Sequence, residues 1–247
     1  MSFRNAILSS LNHLFGLRGL ELRSRVRAED DCSMDAALKR AGARLPKVGT
    51  VIDVGAAAGK WTQRARPHFP DARFLLIEPL RERVPELEAL RATDSRIDFV
   101  SAVAGATPGE TTFNVTDDLD GSGVADAPES AGRTVAVTTI DAEITRRQLP
   151  GPYFIKLDTH GYEVPILNGA MGTLCHTSLL LIEAYNFQLT EGCLRFPQLC
   201  TWLEKPFGFR PCDIVEPIRR PDDLALWQMD IVFARVDAPM FSRNTYR

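Results

Sequence analysis

The sequence has no strong excess of charge of either sign. Its 29 Lys and Arg residues and 32 Asp and Glu residues give a formal net charge of -3, and the pI is about 5.9. Proteins that bind nucleic acid usually concentrate a basic excess on one surface, because they must neutralise phosphates. A nucleic-acid substrate is therefore not expected.

Long apolar runs are absent as well. No stretch approaches the roughly 20 residues that a membrane-spanning helix needs, and the N-terminal segment lacks a long apolar core with a small-residue cleavage site. The five cysteines include no C-x-x-C pair, so neither a zinc knuckle nor a full disulfide framework is indicated. These absences predict a cytoplasmic protein with reduced thiols and no membrane contact.

What is present is the composition of an ordinary globular protein, with 45% hydrophobic residues in a chain of 247. Apolar residues at helical spacing predict an N-terminal helical cap over residues 1–45, in which one helix begins near Ser33. From Thr50 onward, short apolar runs alternate with helical stretches, as in a parallel sheet with helices on both faces. Residues 46–247 are therefore expected to form one α/β domain. Its seven candidate strands are residues 51–54, 73–77, 98–103, 153–157, 179–183, 209–215 and 226–233.

An insertion interrupts this rhythm at about residues 110–138. Residues 110–115 and 133–138 alternate apolar and polar side chains, and they flank a Gly- and Asp-rich stretch at residues 116–132. This pattern predicts a hairpin with a long loop. Loops of this length in compact domains are usually functional lids or disordered segments, and the sequence leaves both open.

The first candidate strand runs into a short loop of small residues. Residues 51–59 read Val-Ile-Asp-Val-Gly-Ala-Ala-Ala-Gly, which places a tight turn at the start of a helix. Gly55 and Gly59 allow the backbone to approach a ligand closely, and Ala56 keeps the wall of the loop low. The loop therefore predicts a nucleotide site.

Two carboxylates favour S-adenosylmethionine (SAM) over a dinucleotide in this site. A dinucleotide fingerprint has a third glycine and exposed amides for a pyrophosphate, which Asp53 would repel. Asp53 could instead receive the ammonium group of an amino-acid-bearing cofactor, directly or through water. Glu78, followed by Pro79, ends the next strand about 20 residues beyond the loop, where such folds bind a ribose diol. Near the third strand, Asp98 could accept from the adenine amino group, and Ala102, Val103 and Ala104 could equally pack against the ring.

Several ordered segments resemble the FkbM family of methyltransferases. They are Val-Ile-Asp-Val-Gly-Ala at 51–56, Ile-Glu-Pro at 77–79, Val-Thr-Thr-Ile-Asp at 137–141, Ile-Lys-Leu-Asp-Thr-His-Gly-Tyr-Glu at 155–163, Leu-Asn-Gly-Ala at 167–170 and Leu-Ile-Glu at 181–183. The resemblance covers roughly residues 50–185. It implies a class I methyltransferase fold, which is Rossmann-like with a seven-stranded mixed sheet, SAM as methyl donor, and an oxygen acceptor on a small molecule, often a sugar or natural product.

The chain departs from the pattern of that family at two places. Where the family commonly has Asn in the glycine loop, this chain has Ala57 or Ala58, so a polar contact to the cofactor is lost. Where the family commonly has Val-Glu-Gly after the fourth-strand Asp, this chain has Thr159, His160 and Gly161. The second departure places an imidazole at the predicted reaction site.

Asp158, His160 and Glu183 are the candidate catalytic residues. They follow or end adjacent strands, and open α/β sheets bind ligands beyond the carboxyl ends of their strands. Methyl transfer to a hydroxyl requires loss of its proton, which His160 is suited to take while Asp158 or Glu183 orients the ring. Lys156, inside the apolar strand, is expected to pair with a neighbouring acid.

Other interpretations remain open at this point. Asp158 and Glu183 could hold a divalent metal that ionises the acceptor hydroxyl, although metal dependence is not favoured. The chain could be a SAM-binding module without catalysis, or an NAD-dependent sugar-nucleotide enzyme, although it lacks the Tyr-x-x-x-Lys pair of such enzymes. Neither the acceptor nor the oligomeric state follows from the sequence, because acceptor pockets are built from variable segments with generic side chains.

Overall fold

The computed structural model describes residues 31–44, 47–125 and 132–245. The helices expected before residue 31 lie outside the described residues, as does the centre of the expected lid at residues 126–131. Within the described ranges, no helix is long and apolar enough to cross a membrane.

The described residues form eleven strands and seven α-helices. The strands are β1 (Thr50–Val54), β2 (Arg73–Ile77), β3 (Ile97–Val100), β4 (Val103–Ala104), β5 (Gly109–Asn114), β6 (Gly123–Val124), β7 (Arg133–Thr138), β8 (Tyr153–Leu157), β9 (Thr177–Tyr185), β10 (Phe209–Arg219) and β11 (Leu226–Arg235). The helices are α1 (Met34–Arg44), α2 (Lys60–Ala65), α3 (Val84–Thr93), α4 (Ile140–Arg147), α5 (Glu163–Asn168), α6 (Met171–Leu174) and α7 (Phe196–Phe207).

Seven strands form the central sheet, in the order β10-β11-β9-β8-β1-β2-β3. The pairs from β9 to β3 are parallel, whereas β11 runs antiparallel to both β9 and β10, so the sheet is mixed. Every residue of β1 and β8 is buried, which explains why these strands read as continuous apolar runs rather than alternating ones. The expected α/β architecture is confirmed.

The third candidate strand differs from its prediction. A single strand over residues 98–103 is wrong: β3 ends at Val100, and Val103 starts the separate strand β4. Val103 pairs with Val137 of β7 in a second sheet, so the chain leaves the central sheet between these two valines. The sequence of residues 98–103 contains no local signal that shows where one strand ends and the strand of the other sheet begins.

The second sheet contains the expected hairpin. Its order is β4-β7-β5-β6, and β5 pairs antiparallel with β7. The described part of the lid returns through β6 onto β5 and packs Leu119 and Val124 against a small cluster that contains Leu80 and Phe113. Asp120 of the lid also binds Arg83 at 2.6 Å. The lid is therefore anchored beside the end of β2.

Helix α1 begins as the sequence predicted. Ser33 Oγ accepts a hydrogen bond from the amide of Ala36 at 3.4 Å, which is the contact expected of an N-cap. Its apolar face, formed by Met34, Ala37, Leu38 and Ala41, is buried against one face of the central sheet. Helix α1 thus covers the same sheet face as α2.

Candidate functional site

A cavity of about 390 Å³ opens where the parallel strands β1, β2 and β8 end. Its walls come from the loop after β1, the end of β2, the loop after β8 and the described part of the lid. Small-molecule sites commonly enclose roughly 300–1,000 Å³. The cavity is therefore large enough for a nucleotide-sized ligand, and it lies where open α/β sheets bind ligands.

The two glycines of the first loop are required by packing. Gly55 has φ +71°, and a Cβ there would lie 2.0 Å from the carbonyl oxygen of Asp158. Gly59 also has φ +71°, and its Cβ would lie 2.5 Å from Leu90 of α3. Gly55 lines the cavity, whereas Gly59 does not. The alanines at positions 56, 57 and 58 also line it, and their short side chains leave room for a ligand.

Glu78 joins the end of β2 to this loop. Its Oε2 accepts from the amide of Ala57 at 2.7 Å, and its Oε1 accepts from the amide of Leu80 at 2.9 Å. Burial raises the pKa of Glu78. A carboxylate has about four lone-pair positions, so two remain for hydroxyl groups of a ligand. Glu78 and Pro79 both line the cavity, as the ribose assignment requires.

Asp53 lies behind the cavity wall. It is fully buried and does not line the cavity, so the direct contact with an ammonium group that the sequence suggested is not available. Its Oδ2 accepts from the Thr62 hydroxyl at 2.7 Å, and its Oδ1 lies 3.1 Å from Lys156 Nζ. Burial raises the pKa of Asp53.

Of the residues that the sequence offered for adenine, two are not brought to the cavity. Asp98 turns away to bind Arg147 at 2.7 Å and approaches Arg91 at 3.7 Å. Ala102 is buried outside the lining, whereas Val103 and Ala104 line the cavity. The chain turns between β3 and β4, so only the residues of β4 reach the cavity wall.

Lys156 connects the loops after β1 and β8. Its ammonium group lies 3.1 Å from Asp53 Oδ1 and 3.2 Å from Asp158 Oδ2, and it donates to the carbonyl of Gly55 at 3.1 Å. It also lies 5.7 Å from the ring centre of Trp61. Burial opposes its charge, but Asp53 and Asp158 raise the pKa of Lys156 above its usual value. Lys156 is therefore a buried, charged residue that links the loops after β1 and β8.

Asp158 and Glu183 carry different charges at neutral pH. Burial and the neighbouring Asp158 raise the pKa of Glu183 to about 9, so Glu183 keeps its proton. Burial opposes ionisation of Asp158 too, but Lys156 and a hydrogen bond with Glu183 lower its pKa overall. Glu183 also accepts hydrogen bonds from the hydroxyl of Tyr185 and the amide group of Gln228. The pair consists of one carboxylate and one neutral acid.

His160 completes this group. Its Nε2 lies 3.8 Å from Asp158 Oδ1 and 3.8 Å from Glu183 Oε2, and its side chain is 30% exposed at the cavity. The loop holds His160 at φ +52°, and the buried Glu163 fixes the turn by accepting from the amide of Gly161 at 2.9 Å. The three residues singled out as catalytic are therefore neighbours in space.

The same three residues are the candidate ligands for a divalent metal. One ligand atom from each of Asp158, His160 and Glu183 lies within 4.8 Å of the others. The Lys156 ammonium lies 3.2 Å from Asp158 Oδ2 and already occupies one side of this donor set, so a cation would have to compete with it.

Three further carboxylates line the cavity, and the sequence interpretation missed them: Asp120, Glu216 and Asp230. Asp230 lies on β11 directly opposite Glu183 of β9, and Glu216 lies on β10. Burial and the neighbouring Asp158 raise the pKa of Asp230 to about 7. A lone acid within the apolar run of residues 226–233 was the available signal, because buried carboxylates are rare without a reason.

Comparison with known proteins places these features in context. The family model described as "Methyltransferase FkbM domain" matches residues 53–211. The structure resembles that of methyltransferase FkbM from Methylobacillus flagellatus KT, with 21% identity and a TM-score of 0.50 over 74% of this chain and 43% of that one. The chain thus spans less than half of that protein. No curated protein matches the sequence.

Two other solved structures have lower sequence identity and lower TM-scores. N-methyltransferase NodS from Bradyrhizobium japonicum WM9 has 10% identity and a TM-score of 0.46, over 81% of this chain and 93% of that one. The 1,6-didemethyltoxoflavin-N1-methyltransferase of Burkholderia thailandensis, solved with its substrate and S-adenosylhomocysteine (SAH), has 16% identity and a TM-score of 0.43, over 82% and 79% of the two chains.

Proposed function

The chain belongs to the FkbM methyltransferase family, and we propose that it transfers the methyl group of SAM to a hydroxyl of a small-molecule acceptor, such as a sugar or another natural product. Its fold is that of class I methyltransferases. The observation that carries the proposal is the position of His160 beside Asp158, in the same cavity as Glu78 and the Gly55 loop.

The cavity fits SAM in several respects. The small residues after β1 leave room beside the backbone, and Glu78 keeps two lone-pair positions for a ribose diol. The apolar side chains of Ile77, Leu80 and Val103 provide walls for an adenine ring. Because Asp53 is out of reach, we assign it the indirect role of holding Lys156 and, through Lys156, the Gly55 carbonyl.

When bound, SAM supplies a methyl group already activated on a sulfonium. The protein must then align the acceptor and remove its hydroxyl proton. We propose that Nδ1 of His160 takes the hydroxyl proton of the acceptor, because Nε2 faces Asp158 and Glu183. The Asp158 carboxylate would accept a hydrogen bond from the Nε2–H group and stabilise the charged ring, as carboxylates do in other acid–base pairs. Apo contacts of this kind are often long and shorten in the substrate complex.

Lys156 keeps Asp158 ionised, and Asp158 must be ionised to stabilise a protonated His160. An uncharged Asp158 could not stabilise an imidazolium, and Lys156 lies 3.2 Å from its Oδ2. Glu183, as a neutral acid, adds a hydrogen bond without adding a second negative charge. Asp158 is therefore a positioning carboxylate, Glu183 supports it, and His160 is the base.

The domain boundaries form part of the proposal. We assign residues 46–247 to the methyltransferase domain and residues 1–45 to a helical cap, whose described helix α1 lies beside α2. Met34 of α1 and Val124 of the lid both line the cavity. The helical cap and the lid thus both contribute to the same site.

A product analysis tests the reaction type. Purified protein is incubated with methyl-labelled SAM and a panel of hydroxylated metabolites, and the labelled products are identified by mass spectrometry. We expect a methyl ether. A methylated amine or carbon as the sole product would replace O-methylation with another transfer, whereas binding of SAH without any turnover across the panel would favour a SAM-binding module.

A further inference from the structure

We propose that the acceptor carries a protonated amine near its reactive hydroxyl, and that the carboxylate of Asp230 binds this amine. The inference deepens the proposed function and rests on it, since it concerns the acceptor end of the same cavity. It names the chemical class of the acceptor: an amino alcohol, such as an amino sugar.

Asp230 lies on the acceptor side of the cavity. The sheet order places β1 and β2, which carry Gly55 and Glu78, on one side of β8. Strands β9 and β11 follow on the other side, and Asp230 stands in register with Glu183 across them. Asp230 and Glu183 therefore occupy the same sheet face, beyond Asp158 as seen from the cofactor loop.

Asp230 differs from the other carboxylates that line the cavity because it has no partner among the described residues. Glu78 accepts from two amides, Asp120 binds Arg83, and Asp158 binds Lys156. Glu216 accepts from the amide of Met34 at 3.0 Å. No hydrogen bond or ion pair from the described residues reaches Asp230.

A partly buried carboxylate without a partner is costly unless a ligand compensates its charge. Burial, Asp158 and Glu216 raise the pKa of Asp230 to about 7, although Lys156 lowers it, so a cationic ligand would favour the ionised form. A neutral hydroxyl would supply one hydrogen bond without favouring the carboxylate over the neutral acid. A protonated amine supplies both a hydrogen bond and the opposite charge.

Two of the cationic side chains that line the cavity are already engaged by acids. Lys156 is shared between Asp53 and Asp158, and Arg64 binds Asp35 at 2.9 Å and approaches Glu216 at 3.6 Å. An acceptor with a carboxylate or phosphate at this end would meet three acidic side chains. The same charges that favour an amine therefore disfavour anionic acceptors.

SAM itself carries an ammonium group, which is a second source of the same chemistry. Binding of SAH is therefore compared with binding of 5′-methylthioadenosine, which lacks the amino acid. If Asp230 serves the acceptor, Asp230→Asn leaves both affinities within about twofold of wild type. A loss of about tenfold for SAH alone would assign Asp230 to the cofactor and overturn the proposal.

The acceptor class is tested by thermal shift of the SAH-loaded protein at constant ionic strength. Matched probe pairs differ only by an amine in place of a hydroxyl: glucosamine against glucose, and 2-aminoethanol against ethylene glycol. We expect at least one amine to raise the Tm more than its partner does. We further expect this difference to vanish in Asp230→Asn and to persist in Asp222→Asn, which removes an exposed acid of the same hairpin.

Equal shifts within every pair, or an amine preference that survives in Asp230→Asn, would overturn the inference. Asp230→Glu keeps the charge and should keep the preference for the same amine, which separates loss of charge from loss of structure. The proposed function fails separately: it fails if the wild-type protein does not bind SAH, whereas this inference fails if SAH binds and amines gain nothing.

Discussion

The ammonium group of Lys156 lies 3.1 Å from Oδ1 of Asp53, and both side chains are buried beneath the cavity. The contact lies between neighbouring strands, since Asp53 of β1 is in register with Lys156 of β8. Through Lys156 it reaches Asp158 and the carbonyl of Gly55. One buried cation thus contacts both the loop after β1 and the Asp158 carboxylate after β8.

Replacing Lys156 by Met should destabilise the protein strongly. The change leaves two carboxylates without their cation, and breaking a buried pair from one side typically costs about 3–5 kcal/mol. Urea unfolding measures the loss. The double variant Lys156→Met with Asp53→Asn should recover part of it, because one orphaned charge is removed. Strictly additive losses would show that the two side chains are not coupled.

His160→Ala should abolish turnover and leave SAH binding within about twofold of wild type. The imidazole is the proposed base and lies in the loop after β8, whereas Glu78, the proposed ribose ligand, follows β2. Single-turnover assays and calorimetry measure the two effects. His68→Ala, which changes a histidine outside the cavity lining, is the control. Retained turnover in His160→Ala would remove His160 as the base.

Glu183→Gln should reduce the pH dependence of stability. The pKa of Glu183 is raised from 4.5 to about 9, so the folded state holds a proton that the unfolded state releases in this interval. Stability contributed by this proton is present at low pH and lost as pH rises toward 9. The variant carries no such proton, so its free energy of unfolding should fall less over the same range. Parallel curves would contradict the assignment.

Chelation of divalent metals should leave turnover unchanged. Lys156 already occupies one side of Asp158, so a cation bound by Asp158, His160 and Glu183 would have to compete with its ammonium group. Turnover is measured after dialysis against EDTA, with and without added Mg²⁺. A loss of activity that Mg²⁺ restores would support the metal-assisted mechanism instead.

Much of the architecture could be predicted because buried parallel strands leave a clear pattern. The bounds of β2 and β8 agree with the predicted residues 73–77 and 153–157. The break between β3 and β4 could not be predicted, since Val103 leaves one sheet for another through pairing with a distant strand. Local sequence does not specify such pairing.

Part of the site could also be predicted, because it depends on where the buried parallel strands end. Glu78 and Asp158 follow strand ends, so their position at the cavity follows from topology. The burial of Asp53 could not be predicted, because a strand buried on both faces does not show which side chains reach a ligand. Asp230 was missed because its approach to Asp158 depends on the antiparallel pairing of β11 with β9.

The most direct test of the account is calorimetric titration of SAH into the wild-type protein and into Glu78→Ala. We predict micromolar binding by the wild type and a loss of about tenfold or more in the variant, since hydrogen bonds to a charged group contribute roughly 1.5–3 kcal/mol. Glu86→Ala, which removes a half-exposed acid of α3, should bind as the wild type does. Absence of binding of either SAH or SAM to the wild-type protein would contradict the central claim.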